Sequence, residues 1–149
     1  MTAPLLVLAA GNPSRGDDGA GPWLAARLAE EAPAGVEILE DFQFQVEHAL
    51  DLAGRRAVLF VDAARPGAAD GGLCLAPLAP ADAPPVLSHA LSPAQLLAVA
   101  QRLGQPLPAA WLLAVEGAEF GLGRGFGAAM QARLPQALAL ARGWIAARR

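Results

Sequence analysis

The sequence predicts a single α/β domain over residues 1–149: a three-layer sandwich with helices on both faces of a mostly parallel, twisted, five-stranded sheet, a 2-1-3 core order and room for an antiparallel edge strand. Three observations predict it. Short apolar runs ended by Gly or Asp alternate with stretches of helical spacing. The first run, Leu5 to Ala10, is apolar throughout, as a strand buried on both faces must be. A chain of 149 residues can bury one substantial core, and no linker or repeat divides it.

Each element has its own justification. Leu5 to Ala10 reads as the first strand, ended by Gly11, and Ala20 to Glu31 as a helix with Trp23, Leu24 and Leu28 on one stripe. Ala32-Pro33-Ala34-Gly35 stops that helix, and Val36 to Leu39 forms a second short strand. Val46, Ala49, Leu50 and Ala53 make a helical stripe that Gly54 closes; Ala57 to Val61 is a third strand terminating at Asp62. Residues 63–85 turn to Ala, Pro, Gly and Asp, a loop interrupted by an edge strand at Gly72 to Ala76. Ser92-Pro93 starts a helix, Ser as N-cap and Pro in the first position, with Leu96, Leu97, Ala100 and Leu103 on one face and Gly104 as stop. Trp111 to Val115 is the last strand, and Gly117 to Gly127 a glycine-rich loop. The final helix starts at Ala128 with the stripe Met130, Leu134, Leu138, Ala141 and Ile145, interrupted or kinked at Pro135.

Composition removes several function classes. A net charge of −3 with scattered arginines offers no basic field for nucleic acid. No apolar run approaches the roughly 18 residues of a membrane span, and the amino terminus has no basic stretch before its apolar run, so a cytoplasmic protein is expected. Cys74, the one cysteine, has no partner for an internal disulfide, which suits a reducing compartment. All eleven cations are arginine, so no lysine can serve a P-loop or a Schiff base. Tyrosine is absent, and the hydroxyls are Thr2, Ser14, Ser88 and Ser92. An enzyme built from this inventory must work with carboxylates and an imidazole, with or without a metal.

The densest stretch is Gly11 to Gly21, GNPSRGDDGAG. It is no phosphate cradle: the glycine spacing is wrong, the lysine is missing and two acids would repel the ligand. Asp17 or Asp18 can cap the following helix. Asp62 lies at the carboxyl end of a strand, where it can cap a turn or face the ligand crevice of an open sheet. With the first and third strands as neighbours, Asp18 and Asp62 meet at the topological switch point. His89, just ahead of the Ser92 helix start, is either a packed loop residue or a ligand, whereas His48 falls on a helix and reads as solvated. Two carboxylates and one imidazole from three loops at one sheet edge would make an open site for a first-row divalent metal.

With these residues the chain resembles the hydrogenase maturation proteases, the endopeptidases that trim the large subunit of nickel-iron hydrogenases. The opening strand into Gly11-Asn12, then Asp17-Asp18-Gly19-Ala20-Gly21, is similar to that family's amino-terminal signature; Val61-Asp62-Ala63, Ser88-His89 and the closing strand, glycine loop and helix follow in order. The resemblance covers nearly the whole chain. It implies metal ligation by Asp18, Asp62 and His89, with these three and Asp17 as the catalytic set and Asp17 as a base or an acceptor behind the ligands. It also implies a substrate, the large-subunit precursor, whose nickel is recognised before a carboxyl-terminal extension is removed, the site being open to other divalent ions. Two departures stand out. Ala9-Ala10-Gly11-Asn12 replaces Gly-x-Gly-Asn, and Asp41 to Glu47, a segment expected to border the substrate, replaces a stretch containing Gly-Thr.

The implied chemistry is metal-aided peptide hydrolysis. Covalent catalysis is disfavoured, with Cys74 in an edge strand and Ser88 beside His89 the one hydroxyl to weigh against that. Two alternatives remain open: a non-cleaving metal escort for the large subunit, and a peptidyl-tRNA hydrolase, whose Gly-Asn-Pro opening this chain shares without that family's early histidine.

Overall fold

Six consecutive buried residues make β1, Leu5–Ala10, an interior strand of the sheet. Its period-two alternation divides it between two cores: Leu5, Val7 and Ala9 pack on one face, Leu6, Leu8 and Ala10 on the other. A strand buried on both faces has no polar side to display, hence the unbroken apolar run. The computed structural model describes residues 2–82 and 90–149.

The chain continues through α1 (Ala20–Glu31), β2 (Val36–Asp41), α2 (His48–Asp51), β3 (Ala57–Ala64), β4 (Leu73–Pro77), α3 (Pro93–Arg102), β5 (Ala109–Glu116) and α4 (Ala128–Arg148). The sheet order is β2-β1-β3-β5-β4. β1 pairs parallel with β2 and β3, β3 parallel with β5, and β4 antiparallel with β5, so both the 2-1-3 core and the antiparallel edge are present. α1 and α4 supply Leu24, Leu28, Leu134 and Trp144 to one core, and α2 and α3 supply Ala49, Leu96 and Leu97 to the other. Among the described residues, no helix is long and apolar enough to cross a membrane.

Ser92 caps α3 as its sequence implies. Its hydroxyl accepts the Gln95 N–H at 3.2 Å while the Gln95 side chain accepts the Ser92 N–H at 2.9 Å. Ser92→Ala is expected to cost about 1 kcal/mol, read as a fall of about 2–4 °C in thermal unfolding.

Three elements depart from expectation. α2 is one turn rather than the stripe Val46 to Ala53: Leu50 is 69% exposed, and Leu52 reaches the core instead. α4 is neither interrupted nor ended at Pro135, because that residue lies on the exposed side, where water can bond the carbonyl it leaves unpaired. β2 and β3 run past their apolar stretches, which leaves Asp41 and Asp62 inside strands rather than after them.

Candidate active site

The site is built at the carboxyl ends of β1 and β3, where the chain runs to β2 on one side and β3 on the other, the switch point of a doubly wound sheet. The loop after β1 doubles back tightly. At Gly11, φ is +153° and a Cβ would stand 2.0 Å from the Asp18 carbonyl oxygen, so only glycine fits. Asn12 shapes the next step: its side-chain oxygen accepts the Ser14 N–H at 2.9 Å, and its own N–H donates to Asp18 Oδ2 at 2.7 Å. The Asp18 carboxylate is thereby held half-buried at the top of β1.

Neither acid of the pair caps α1, whose N-cap is Gly19 with no side-chain bond. Asp17 is turned inward and is 1% exposed. Its Oδ2 accepts the N–H groups of Ala118 at 2.8 Å and Glu119 at 2.9 Å, and its Oδ1 accepts that of Gly127 at 2.9 Å. Gly117 makes room, since a Cβ there would lie 2.6 Å from the Asp17 Cβ. Burial works to raise the Asp17 pKa, but the three backbone donors and the Arg133 guanidinium outweigh it and hold the carboxyl below its ordinary value. A carboxylate so buried and so donated to is a poor base. Of the two roles expected of Asp17, base or acceptor behind the ligands, this geometry suits the acceptor: it ties the glycine-rich loop after β5 to the loop after β1.

Asp62 lies near the carboxyl end of β3, beside this loop. Burial pushes its carboxyl up to about 7, the negative charge of Asp18 adds to the rise, and the Ala63 N–H offsets part of it. Asp18 and Asp62 therefore face one another across a cleft of about 310 Å³, with Ala63, Phe120, Arg15 and Arg65 completing its walls. Among the described residues, no group of three or more His, Cys, Asp or Glu is arranged to hold a metal ion. His89, and with it Ser88, lies outside the described residues, so the structure brings together the two expected carboxylates without testing the imidazole.

His48 is not solvated. Its side chain is 12% exposed, Nδ1 accepts the Gln45 N–H at 2.8 Å, and Nε2 stands 3.4 Å from Asp41 Oδ2. It pins the loop between β2 and α2. Cys74 lies within β4, an edge strand, as expected. Arg15, Arg65 and Phe120 are cleft residues that sequence reasoning missed. The arginines carried one faint signal, each standing three residues from an acid of the pair.

No family model matches the chain, and no curated protein does. Solved structures do. The [NiFe] hydrogenase maturation protease HycI from Thermococcus kodakarensis KOD1 is 21% identical, over 96% of this chain and 92% of that one, with a TM-score of 0.72. The hydrogenase maturating endopeptidase HybD from E. coli is 24% identical, over 92% and 88%, with a TM-score of 0.72. The hydrogenase 2 maturation peptidase from Thaumarchaeota archaeon SCGC_AB-539-E09 is 22% identical, over 95% and 97%, with a TM-score of 0.68. The chain thus has the fold of these peptidases from end to end, with a two-carboxylate cleft at its switch point.

Proposed function

We propose that this protein is a hydrogenase maturation endopeptidase that removes the carboxyl-terminal extension of a nickel-loaded large-subunit precursor. The observation that carries the reading is the convergence of Asp18 and Asp62 on one cleft, at the switch point of a fold shared with solved maturation peptidases. The resemblance of the whole chain's motifs supports it independently.

The donor set suits a divalent cation. Burial, and after it the negative charge of Asp18, makes the charged form of Asp62 costly, and its carboxyl is raised to about 7. A cation shared between them offsets that cost. Nickel arriving with the precursor is the cargo that Asp18 and Asp62, joined by His89 on the family pattern, would grip; such an ion anchors the substrate and polarises a carbonyl or a water at the cut. Asp18 would hold it from the position fixed by the Asn12 N–H, and Asp62 would hold it as the carboxylate, its proton released to solvent. Asp17 keeps the cleft's two loops in register and takes no part in proton transfer. The expected location is the cytoplasm.

The test is direct: incubation with a nickel-loaded precursor is expected to lower the precursor's mass by that of its carboxyl-terminal extension. An unchanged mass, with the two proteins still bound to one another, would instead make this chain an escort.

A further inference from the structure

The cleft is not lined by acids alone. Arg15, from the loop after β1, and Arg65, which follows β3, flank Asp18 and Asp62, and Phe120 forms an apolar wall beside them. Their strands are parallel neighbours, so the two arginines and the two acids rise from one edge of the sheet. Both arginines are exposed. Among the described residues, neither makes an ion pair or donates a side-chain hydrogen bond. Other arginines are engaged: Arg55 with Glu37, Arg142 with Glu31, Arg133 with the Glu116 carbonyl, and Arg148 over the rings of Trp111 and Trp144.

Arginines placed to neutralise the acid pair would be expected to sit on it. These do not: the ion pairs among the described residues are those of Arg27, His48, Arg55, Arg124 and Arg142, and none joins Arg15 or Arg65 to Asp18 or Asp62. Two positive and two negative groups share the cleft, so a divalent cation taken up by the acids leaves an excess of positive charge at its mouth. What that mouth then attracts is an anion. The guanidinium fork matches a carboxylate in two parallel hydrogen bonds, which a point charge cannot do.

We infer that Arg15 and Arg65 form a carboxylate-binding subsite that seats an acidic group of the segment to be removed, beside the bond that is cut. The inference rests on the endopeptidase reading and deepens it by naming what the departing segment must carry. The carboxylate can belong to an Asp or Glu side chain of the extension or to its terminus, and Phe120 offers an apolar surface to the neighbouring residue. Because the carboxylate it holds takes no part in the bond change, the contact strengthens ground state and transition state alike, so it acts on KM and not on kcat.

The experiment pairs processing with binding. Arg15→Gln and Arg65→Gln, verified as folded by thermal unfolding, are each expected to raise KM for the precursor about tenfold with kcat held within about twofold. Arg→Lys at either position should fall between wild type and Gln, keeping charge and losing the fork. The effect should vanish on a precursor whose extension has every Asp and Glu replaced by Asn and Gln, or else on one ending in an amide, and which of the two abolishes it identifies the source. An undiminished effect on both neutralised precursors, an unchanged KM, or a fall in kcat alone would each overturn the subsite. Binding of a fluorescent synthetic peptide of the extension, acid against neutralised form, separates the two proposals. If wild type fails to cut but binds the acid peptide about tenfold more tightly in an arginine-dependent way, the endopeptidase reading fails and the subsite stands. If binding is indifferent to the arginines, the subsite fails whatever the processing assay gives.

Discussion

Asp17→Asn is expected to lower the thermal unfolding midpoint at pH 7 by about 10 °C, the largest loss of stability that any single polar substitution should produce in this fold. The carboxylate accepts three backbone N–H groups from residues more than 100 positions away, and all are drawn from one loop. An amide in its place presents N–H to N–H on one side and strands buried donors, each worth about 1.5–3 kcal/mol when the acceptor is charged. The pH dependence follows from the depressed pKa. Stability from a depressed acid is present above the unfolded value, here 3.8, and is lost as pH falls through the lower folded value. The gap between wild type and variant should therefore narrow in strong acid. Amide hydrogen exchange gives the local check: Ala118, Glu119 and Gly127 should lose protection first. A variant within about 2 °C of wild type at pH 7 would show that the loop is held by something else.

Asp62→Asn is expected to do the opposite to the fold while abolishing processing. The Asp62 carboxyl is raised from 3.8 to about 7, so the folded state disfavours its charged form. The sign is that of a raised group: the favourable contribution is complete below pH 3.8 and disappears as pH rises through about 7. Above that pH the wild type carries the cost of a buried, charged Asp62 carboxylate, to which the nearby Asp18 charge adds. In metal-free buffer at pH 8 the variant should unfold about 3–6 °C higher than wild type, a figure discounted for partial solvent access, and the advantage should shrink toward pH 4. Mass spectrometry of the precursor should show no mature product. A variant less stable than wild type at pH 8 would contradict the electrostatics, and one that still processes would remove Asp62 from the site. Asp18→Asn supplies the reciprocal check, since losing its charge should lower the Asp62 pKa, measurable by NMR titration.

These opposite effects separate two kinds of acid in a stretch where Asp17 and Asp18 are adjacent. One is saturated with donors and supports the fold. The other, with Asp62, is held in mutual repulsion for a ligand to relieve, which is the usual bargain of a functional site.

Much of the architecture was legible because it depends on local signals. The bounds of β1 and α1 follow from an apolar run, a glycine and a helical stripe, and the α3 cap from Ser92, Pro93 and Gln95 within four residues. The pairing of Asp18 with Asp62 was legible for another reason: parallel strand order places the ends of β1 and β3 side by side whatever the side chains do. α2 was misread because Val46, Leu50 and Ala53 imitate a stripe, whereas a single turn exposes Leu50 and buries Leu52.

By itself the sequence determined the fold class, the 2-1-3 core of the strand order and the two acids of the cleft, since periodicity and strand-end chemistry act within a few residues. Tertiary structure alone decided that Asp17 belongs to the loop at 117–127, that His48 turns back on Asp41 and Gln45, and that Arg15, Arg65 and Phe120 share the cleft with the acids. The reason is physical: a carboxylate's role is set by which donors and charges surround it in space, and those come from segments that only the closed sheet brings within reach.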